Sequence, residues 1–204
     1  MLTNLYWYMP DALTSEETNH VVKEGEIQFK LDSLEGTHQG DNAERSSKIT
    51  WLYDSTTTHL LEEVVHSANV DAGWVLDLIR PEAVQYTVYE EGDEYGFHTD
   101  GNQDRYAAKH LVERSTDPIP LNQTPNPLLA GLVRKLSVTV NLSEPEDYEG
   151  GTLELLFNGS HHVFPDPPYG SAIVFPSFIS HRITPVTKGI RKSAVMWFNG
   201  PPLR

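Results

Sequence analysis

The sequence predicts a mainly β fold with flanking helices: an antiparallel double-sheet jelly roll with N-terminal helices packed on one sheet. Three observations predict it. From residue 74 onward, short strand-like runs follow one another with Gly, Pro or Asn between them. No segment of helical period interrupts most of these runs, so parallel βαβ construction does not fit and two antiparallel sheets do. The first 73 residues have a different texture and carry the helical signals.

The elements follow in order. Thr14-Ser15-Glu16-Glu17 sets a hydroxyl before acids, an N-cap with a favourable first turn, and predicts a short helix to about Lys23. Glu26-Ile27-Gln28-Phe29-Lys30-Leu31 alternates polar and apolar residues and predicts a strand. Residues 32–47 are rich in Gly, Ser, Asp and Asn and read as a loop. Leu60, Leu61, Val64 and Val65 recur at helical spacing, which predicts a helix from Ser55 to about Asn69. The expected strands are Trp74–Ile79, Ala83–Glu90, Gly96–Asp100, Lys135–Leu142, Thr152–Phe157, His162–Phe164, Ser171–Phe175, His181–Val186 and Ile190–Phe198. The stretch 101–134 is the exception. It is long, polar and proline-containing, so a mobile loop that closes over the site is expected there, with one helix near Tyr106–Val112. The whole reads as one domain over 1–204, with an N-terminal elaboration at 1–73 and the β core at 74–200.

Bulk composition narrows the function classes. The 204 residues include 29 acids and 15 Lys or Arg, a formal net charge of −14. Such a surface argues against a nonspecific DNA binder or a binder of anionic membranes. It is either a solvated acidic surface or one that prefers basic partners. There is no cysteine, so disulfides and thiolate metal sites are excluded. No apolar run approaches the roughly 20 residues of a membrane span. The start lacks a basic region followed by an apolar stretch, so no signal peptide is read and a cytoplasmic location is expected.

The chemistry centres on His98-Thr99-Asp100. Residues i and i+2 of a strand share a face, so one imidazole and one carboxylate point to a common place. His181, which heads a strand-like run, is the candidate third ligand. Two imidazoles and a carboxylate on one side of a metal leave three positions open, the arrangement typical of oxygen-activating Fe(II). His-x-Asp alone is a weak signal, because a histidine satisfied by a neighbouring Asp is the usual alternative. The other histidines show no such pattern. Arg191 adds weight. Thr187-Lys188-Gly189 reads as a three-residue hairpin loop with Gly189 left-handed. In that register Arg191 lies opposite Pro185, Val195 lies opposite His181, and Arg191, Ser193 and Val195 share the face of His181. Arg191 would then stand roughly 13 Å up the sheet from His181. An extended arginine and a five-carbon diacid close that gap between them. The planar guanidinium takes a carboxylate bidentately and stays charged. A surface arginine in a salt bridge is the alternative.

These motifs resemble the 2-oxoglutarate/Fe(II) dioxygenases of the prolyl 4-hydroxylase type, most closely the PKHD-type hydroxylases of bacteria and phages. The resemblance runs through Arg45–Leu52, Trp74–Tyr89, Tyr95–Asp100, Leu136–Leu155 (with Glu149-Gly150-Gly151), Phe175-Pro176-Ser177 and His181–Trp197. It implies a double-stranded β-helix, the cupin-like form of the jelly roll. It implies that His98, Asp100 and His181 bind Fe(II) and that Arg191 pairs with the distal carboxylate of 2-oxoglutarate. O2 would be the oxidant, with ascorbate as a supporting reductant. Tyr89 matches a co-substrate tyrosine, although a plain strand aromatic is its alternative. Trp197 matches a pocket tryptophan. Asn141 falls where some relatives place a co-substrate tyrosine, so that contact is altered here. Ser193 would add a hydroxyl beside Arg191, and Arg134 falls near a substrate-contacting arginine of some relatives. The implied reaction is hydroxylation of an unactivated C–H, expected to be a prolyl residue of a protein or peptide, with succinate and CO2 released. Retention of Asp100 favours hydroxylation over halogenation. A hydroxylase of a free amino acid or small molecule is a second reading, and a non-catalytic jelly-roll binding module a third.

Overall fold

The computed structural model describes residues 4–35, 45–101, 129 and 131–202. Two α-helices are present among them, α1 (Ser15–Glu35) and α2 (Ser55–Asp71). The strands are β1 (Trp7–Met9), β2 (Lys48–Leu52), β3 (Arg80–Pro81), β4 (Val84–Tyr89), β5 (Tyr95–His98), β6 (Val133–Asn141), β7 (Tyr148–Gly150), β8 (Leu153–Phe157), β9 (Ser160–Phe164), β10 (Ala172–Pro176), β11 (Ser180–Ile183), β12 (Val186–Gly189) and β13 (Arg191–Gly200). The larger sheet runs β1-β10-β6-β13-β4-β2, with β3 also on β13, and the smaller runs β5-β11-β8-β9. Strands β12 and β7 pair as a separate ribbon. Every pairing is antiparallel, as the strand succession predicts.

The helices cover one face of the larger sheet. Leu61, Val64, Val65 and Ala68 of α2 pack with Val84, Tyr86 and Val88 of β4 and Ala194, Met196 and Phe198 of β13. Period-2 alternation then sends Gln85 and Tyr89, and Arg191, Ser193 and Trp197, to the opposite face, which lines a cavity facing the smaller sheet. A second core of Leu153, Leu155, Phe175, Ile179 and Ile183 closes the space between the sheets. The sequence therefore separates core from site by parity alone on these two strands.

Local signals explain the helices. Thr14 and Glu17 form a capping box: Glu17 N donates to Thr14 Oγ1 at 3.3 Å, and Thr14 N donates to Glu17 Oε2 at 2.8 Å. Asp54 caps α2 by accepting from Thr57 N at 2.7 Å.

Several expectations need correction. Residues 26–31 are helix, not strand: α1 continues to Glu35 and takes in the start of the expected 32–47 loop. The alternation there is built from good helix formers, and Gln28 Nε2 reaches Asp32 Oδ1 at 2.8 Å, one turn on. Of its apolar residues Phe29 faces the Tyr86 ring, whereas Ile27 and Leu31 are about half exposed, so the alternation does not mark a buried face. Gly25 lets α1 sit directly on Tyr86, whose ring would collide with any Cβ. Residues 74–79 form no strand. Their backbone is tied instead by the Asn69 amide, which donates to Leu76 O at 3.0 Å and accepts from Leu76 N at 2.9 Å. The expected strand His181–Val186 splits into β11 and β12 at Thr184-Pro185, where proline has no N–H for a ladder. The expected loop at 101–134 and its helix near Tyr106–Val112 lie almost wholly outside the described residues. No helix among the described residues is long and apolar enough to cross a membrane.

Candidate metal and co-substrate site

Strands β5 and β11 bring two imidazoles together. His98 and His181 are cross-strand partners, and their ring centroids lie 4.2 Å apart. Asp100 follows just past the end of β5. Its Oδ1 lies 3.7 Å from His98 Nε2, and its Oδ2 lies 3.4 Å from His181 Nε2. One ligand atom from each of the three residues lies within 4.8 Å of the others, and no other such group occurs among the described residues.

The outer hydrogen bonds set the tautomers. His98 Nδ1 lies 2.8 Å from the Gly96 carbonyl oxygen, and His181 Nδ1 lies 3.0 Å from that of Ile179. A carbonyl only accepts, so each Nδ1 carries a proton and each Nε2 is the nitrogen turned toward Asp100. Metal-bound imidazoles are oriented in this way through their other nitrogen. Burial, helped by neighbouring His181, pulls the His98 pKa down to about 4, so the ring is neutral near pH 7. Burial would raise the Asp100 carboxyl, but His181, Arg134 and His98 outweigh it and hold it below the ordinary carboxylate range. Ser137 Oγ donates to Asp100 Oδ2 at 2.8 Å, and with its one hydroxyl proton so used it accepts from Ser177 Oγ at 3.0 Å. Two imidazole Nε2 atoms and one fixed carboxylate form the donor set that suits Fe(II) with open positions. The residues fit that ion.

The triad opens on a cavity of about 520 Å³. Arg191 is 3% exposed in its wall. Its Nη1 donates to Ser193 Oγ at 3.3 Å, its guanidinium lies 5.5 Å from the Tyr89 ring centroid, and its Nε is enclosed without a partner. Gly151 makes room for it, since a Cβ there would sit 2.8 Å from Arg191 Cδ. Arg191 and Tyr89 are cross-strand partners on β13 and β4. Trp197 lines the same cavity, beneath the Arg134 guanidinium at 3.9 Å.

The predicted route from His181 to Arg191 is wrong, although both residues line the one cavity. They belong to different sheets: His181 pairs with His98 and Leu155, whereas Arg191 pairs with Tyr89. Val195 lies opposite Gln85 and Thr139, not His181. The chain leaves the smaller sheet at Pro185, runs along β12 against β7, and enters the larger sheet at Arg191. Gly189 does take a left-handed φ of 76°, but at a crossover and not in a hairpin. Arg191 thus faces the triad across the sandwich instead of from up the same sheet.

Asn141 is not brought into the cavity. Its Nδ2 donates to the carbonyls of Ser143 and Pro167, both at 2.7 Å, so it braces loops behind the wall. Other residues in the wall had no assigned role from the sequence. Tyr95 stacks on His98 at 3.6 Å between centroids. Strand parity would put it on the far face, but a register shift in the β5–β11 pairing brings it in. Trp51, Gln85 and Arg45 also line the cavity.

A family model described as the 2OG-Fe(II) oxygenase superfamily matches residues 84–199. The chain belongs to the 2OG-Fe(II) oxygenase superfamily. Among its relatives is a PKHD-type hydroxylase of Xylella fastidiosa (strain 9a5c), 36% identical over 114 residues, which are 55% of this chain and 42% of that protein. The chain therefore matches less than half the length of that relative. Among solved structures, a Pseudomonas putida prolyl-4-hydroxylase superposes with a TM-score of 0.67 at 20% identity, over 98% of this chain and 95% of that one. A Trichoplax adhaerens prolyl hydroxylase, in complex with a hypoxia inducible factor oxygen degradation domain peptide fragment, gives 0.61 at 17% identity, over 96% and 84%. The chain shares with them the double-stranded β-helix fold that its sequence predicts.

Proposed function

We propose that this oxygenase hydroxylates an unactivated C–H of a prolyl residue in a peptide or protein. The observation that carries the reading is the shared cavity, with an Nε2-presenting His98–Asp100–His181 triad on one side and, on the other, the buried Arg191, which meets no carboxylate among the described residues. His98, Asp100 and His181 would hold Fe(II), which with 2-oxoglutarate and O2 supplies the oxidising power and yields succinate and CO2. Three ligands from one side leave the other side to co-substrate and O2.

The chain's own groups do the rest. Arg191 takes the distal carboxylate of 2-oxoglutarate by charge-assisted hydrogen bonds, and Tyr89 walls that subsite. Ser137 and Ser177 fix the rotamer of Asp100. Leu153, Phe175 and Ile183 line the cavity and exclude water. Peptide access is supported by the Trichoplax relative's bound peptide and by the partly open cavity that Trp51 and Trp197 border. Succinate formation coupled to a proline-containing peptide library tests the reading. It should be lost in Asp100→Ala, and full coupled turnover by that variant would overturn it.

A further inference from the structure

We propose that Arg45 anchors a carboxylate of the prime substrate. This rests on the oxygenase reading above. Arg45 is 8% exposed and lines the cavity. Its Nε donates to Ser47 Oγ and its Nη2 to Thr87 Oγ1, the latter at 3.4 Å. Its guanidinium lies 4.8 Å from the centroid of the Tyr95 ring, the ring that stacks on His98. Its Nη1 has no hydrogen-bond partner among the described residues and is not one of the enclosed atoms, so it is accessible in a residue that lines the cavity.

No carboxylate lies within ion-pair distance of Arg45 among the described residues, in a chain with a formal charge of −14. The neighbouring arginines are treated differently. Arg134 is held bidentately by Glu82, with both contacts at 2.6 Å, and Arg182 by Glu154 at 2.7 Å. Among the described residues, Arg45 and Arg191 are the arginines of this wall that meet hydroxyls and tyrosine faces and no carboxylate. A buried charge without a counter-charge is costly. Arg191 is answered by the distal carboxylate of the co-substrate. Bound Fe(II) would be answered by Asp100 and the other carboxylate of the co-substrate. Arg45 is left over, on the His98 side of the iron position, and a substrate carboxylate completes the balance. The cavity then selects an acid although the chain as a whole carries a formal charge of −14.

The test uses the full chain, anaerobic, with Fe(II) and saturating 2-oxoglutarate, read by fluorescence of Trp51 and Trp197 in the cavity wall. The probes are two pairs. One is acetyl-Ala-Pro-Asp-Ala-amide with its Asn twin, and the other is acetyl-Ala-Pro with a free terminal carboxylate and its amide. Wild type binds the acid of one pair about tenfold or more tighter than its amide. The pair that shows this tells a side-chain carboxylate from a terminal one. In Arg45→Gln the ratio falls to about one, through loss of the acid's affinity alone, and Arg45→Lys keeps part of the preference. A ratio within one protein does not depend on how much of it is folded. The proposal is overturned by a wild-type ratio near one, by failure of both acids to bind, or by an unchanged ratio in Arg45→Gln. It is also overturned if Arg45→Gln weakens 2-oxoglutarate itself by more than about twofold, which would assign Arg45 to the co-substrate. Failure of wild type to take up Fe(II) and 2-oxoglutarate is seen before any probe is added. That result sinks the oxygenase reading, and this proposal with it.

Discussion

Replacing Gly151 by alanine pushes on Arg191 without altering its charge. The new Cβ would lie 2.8 Å from Arg191 Cδ and 3.0 Å from Val186 Cγ2. Val186 is buried and leaves little room to yield, so the arginine moves. Gly151 also has φ of 58°, where a Cβ costs about 1 kcal/mol or more. A cost of that size lowers Tm by roughly 2–4 °C per kcal/mol in a chain of this length. The larger effect is at the co-substrate. A displaced guanidinium forfeits one charge-assisted hydrogen bond of about 1.5–3 kcal/mol, which weakens 2-oxoglutarate roughly 10- to 150-fold. The triad lies on other strands, so Fe(II) affinity changes by less than about threefold. Anaerobic calorimetric titration of each ligand separates the two. Unchanged 2-oxoglutarate affinity in a folded Gly151→Ala protein would refute the reasoning that Gly151 seats Arg191.

Ser137→Ala removes the donor that fixes Asp100 and should weaken Fe(II) about 10- to 100-fold, measured by metal competition, with 2-oxoglutarate affinity of the loaded protein retained. Asn141→Ala should lower Tm, because the carbonyls of Ser143, Pro167 and Pro168 lose their donor, yet leave the 2-oxoglutarate Kd unchanged; a Kd shift would restore the co-substrate role expected from the sequence. Asp54→Ala removes the cap of α2 and should cost about 1 kcal/mol near pH 7 in a denaturant titration. Burial would raise the Asp54 carboxyl, but the Thr57 N–H and His20 outweigh it and lower its pKa. Its contribution is therefore present above the unfolded value of 3.8 and is lost as pH falls through the folded one. The penalty of Asp54→Ala should accordingly shrink toward pH 3 and not toward pH 9.

Alternation carried much of the site. On β4 and β13 the residues facing the helices are apolar apart from Lys192, which pairs with Glu26 of α1, and the cavity face carries Gln85, Tyr89, Arg191, Ser193, Val195 and Trp197, as period 2 requires. His98 and Asp100 follow from the same spacing. Parity fixes a face, however, and not a sheet. Nothing local in Thr184–Gly189 says whether the chain turns back in a hairpin or crosses to the facing sheet, and both put Arg191 on an inward face. The crossover is decided by distant partners, Val186 N on Asp93 O and β12 on β7. Tyr95 was hidden for the opposite reason, since a register shift breaks the parity that would have ruled it out. In α1, tertiary contact of Phe29 with Tyr86 and a run of helix formers overrode a short alternation. Arg45 stood inside a recognised segment, but the absence of an acid beside it is a fact of packing alone.

Anaerobic native mass spectrometry of the full chain and two variants tests the central assignment most directly. Wild type should carry one Fe(II) and one 2-oxoglutarate per chain. Asp100→Ala should lose the iron, and Arg191→Gln should keep iron while releasing the co-substrate. Undiminished iron in the first variant, or undiminished 2-oxoglutarate in the second, would contradict the account.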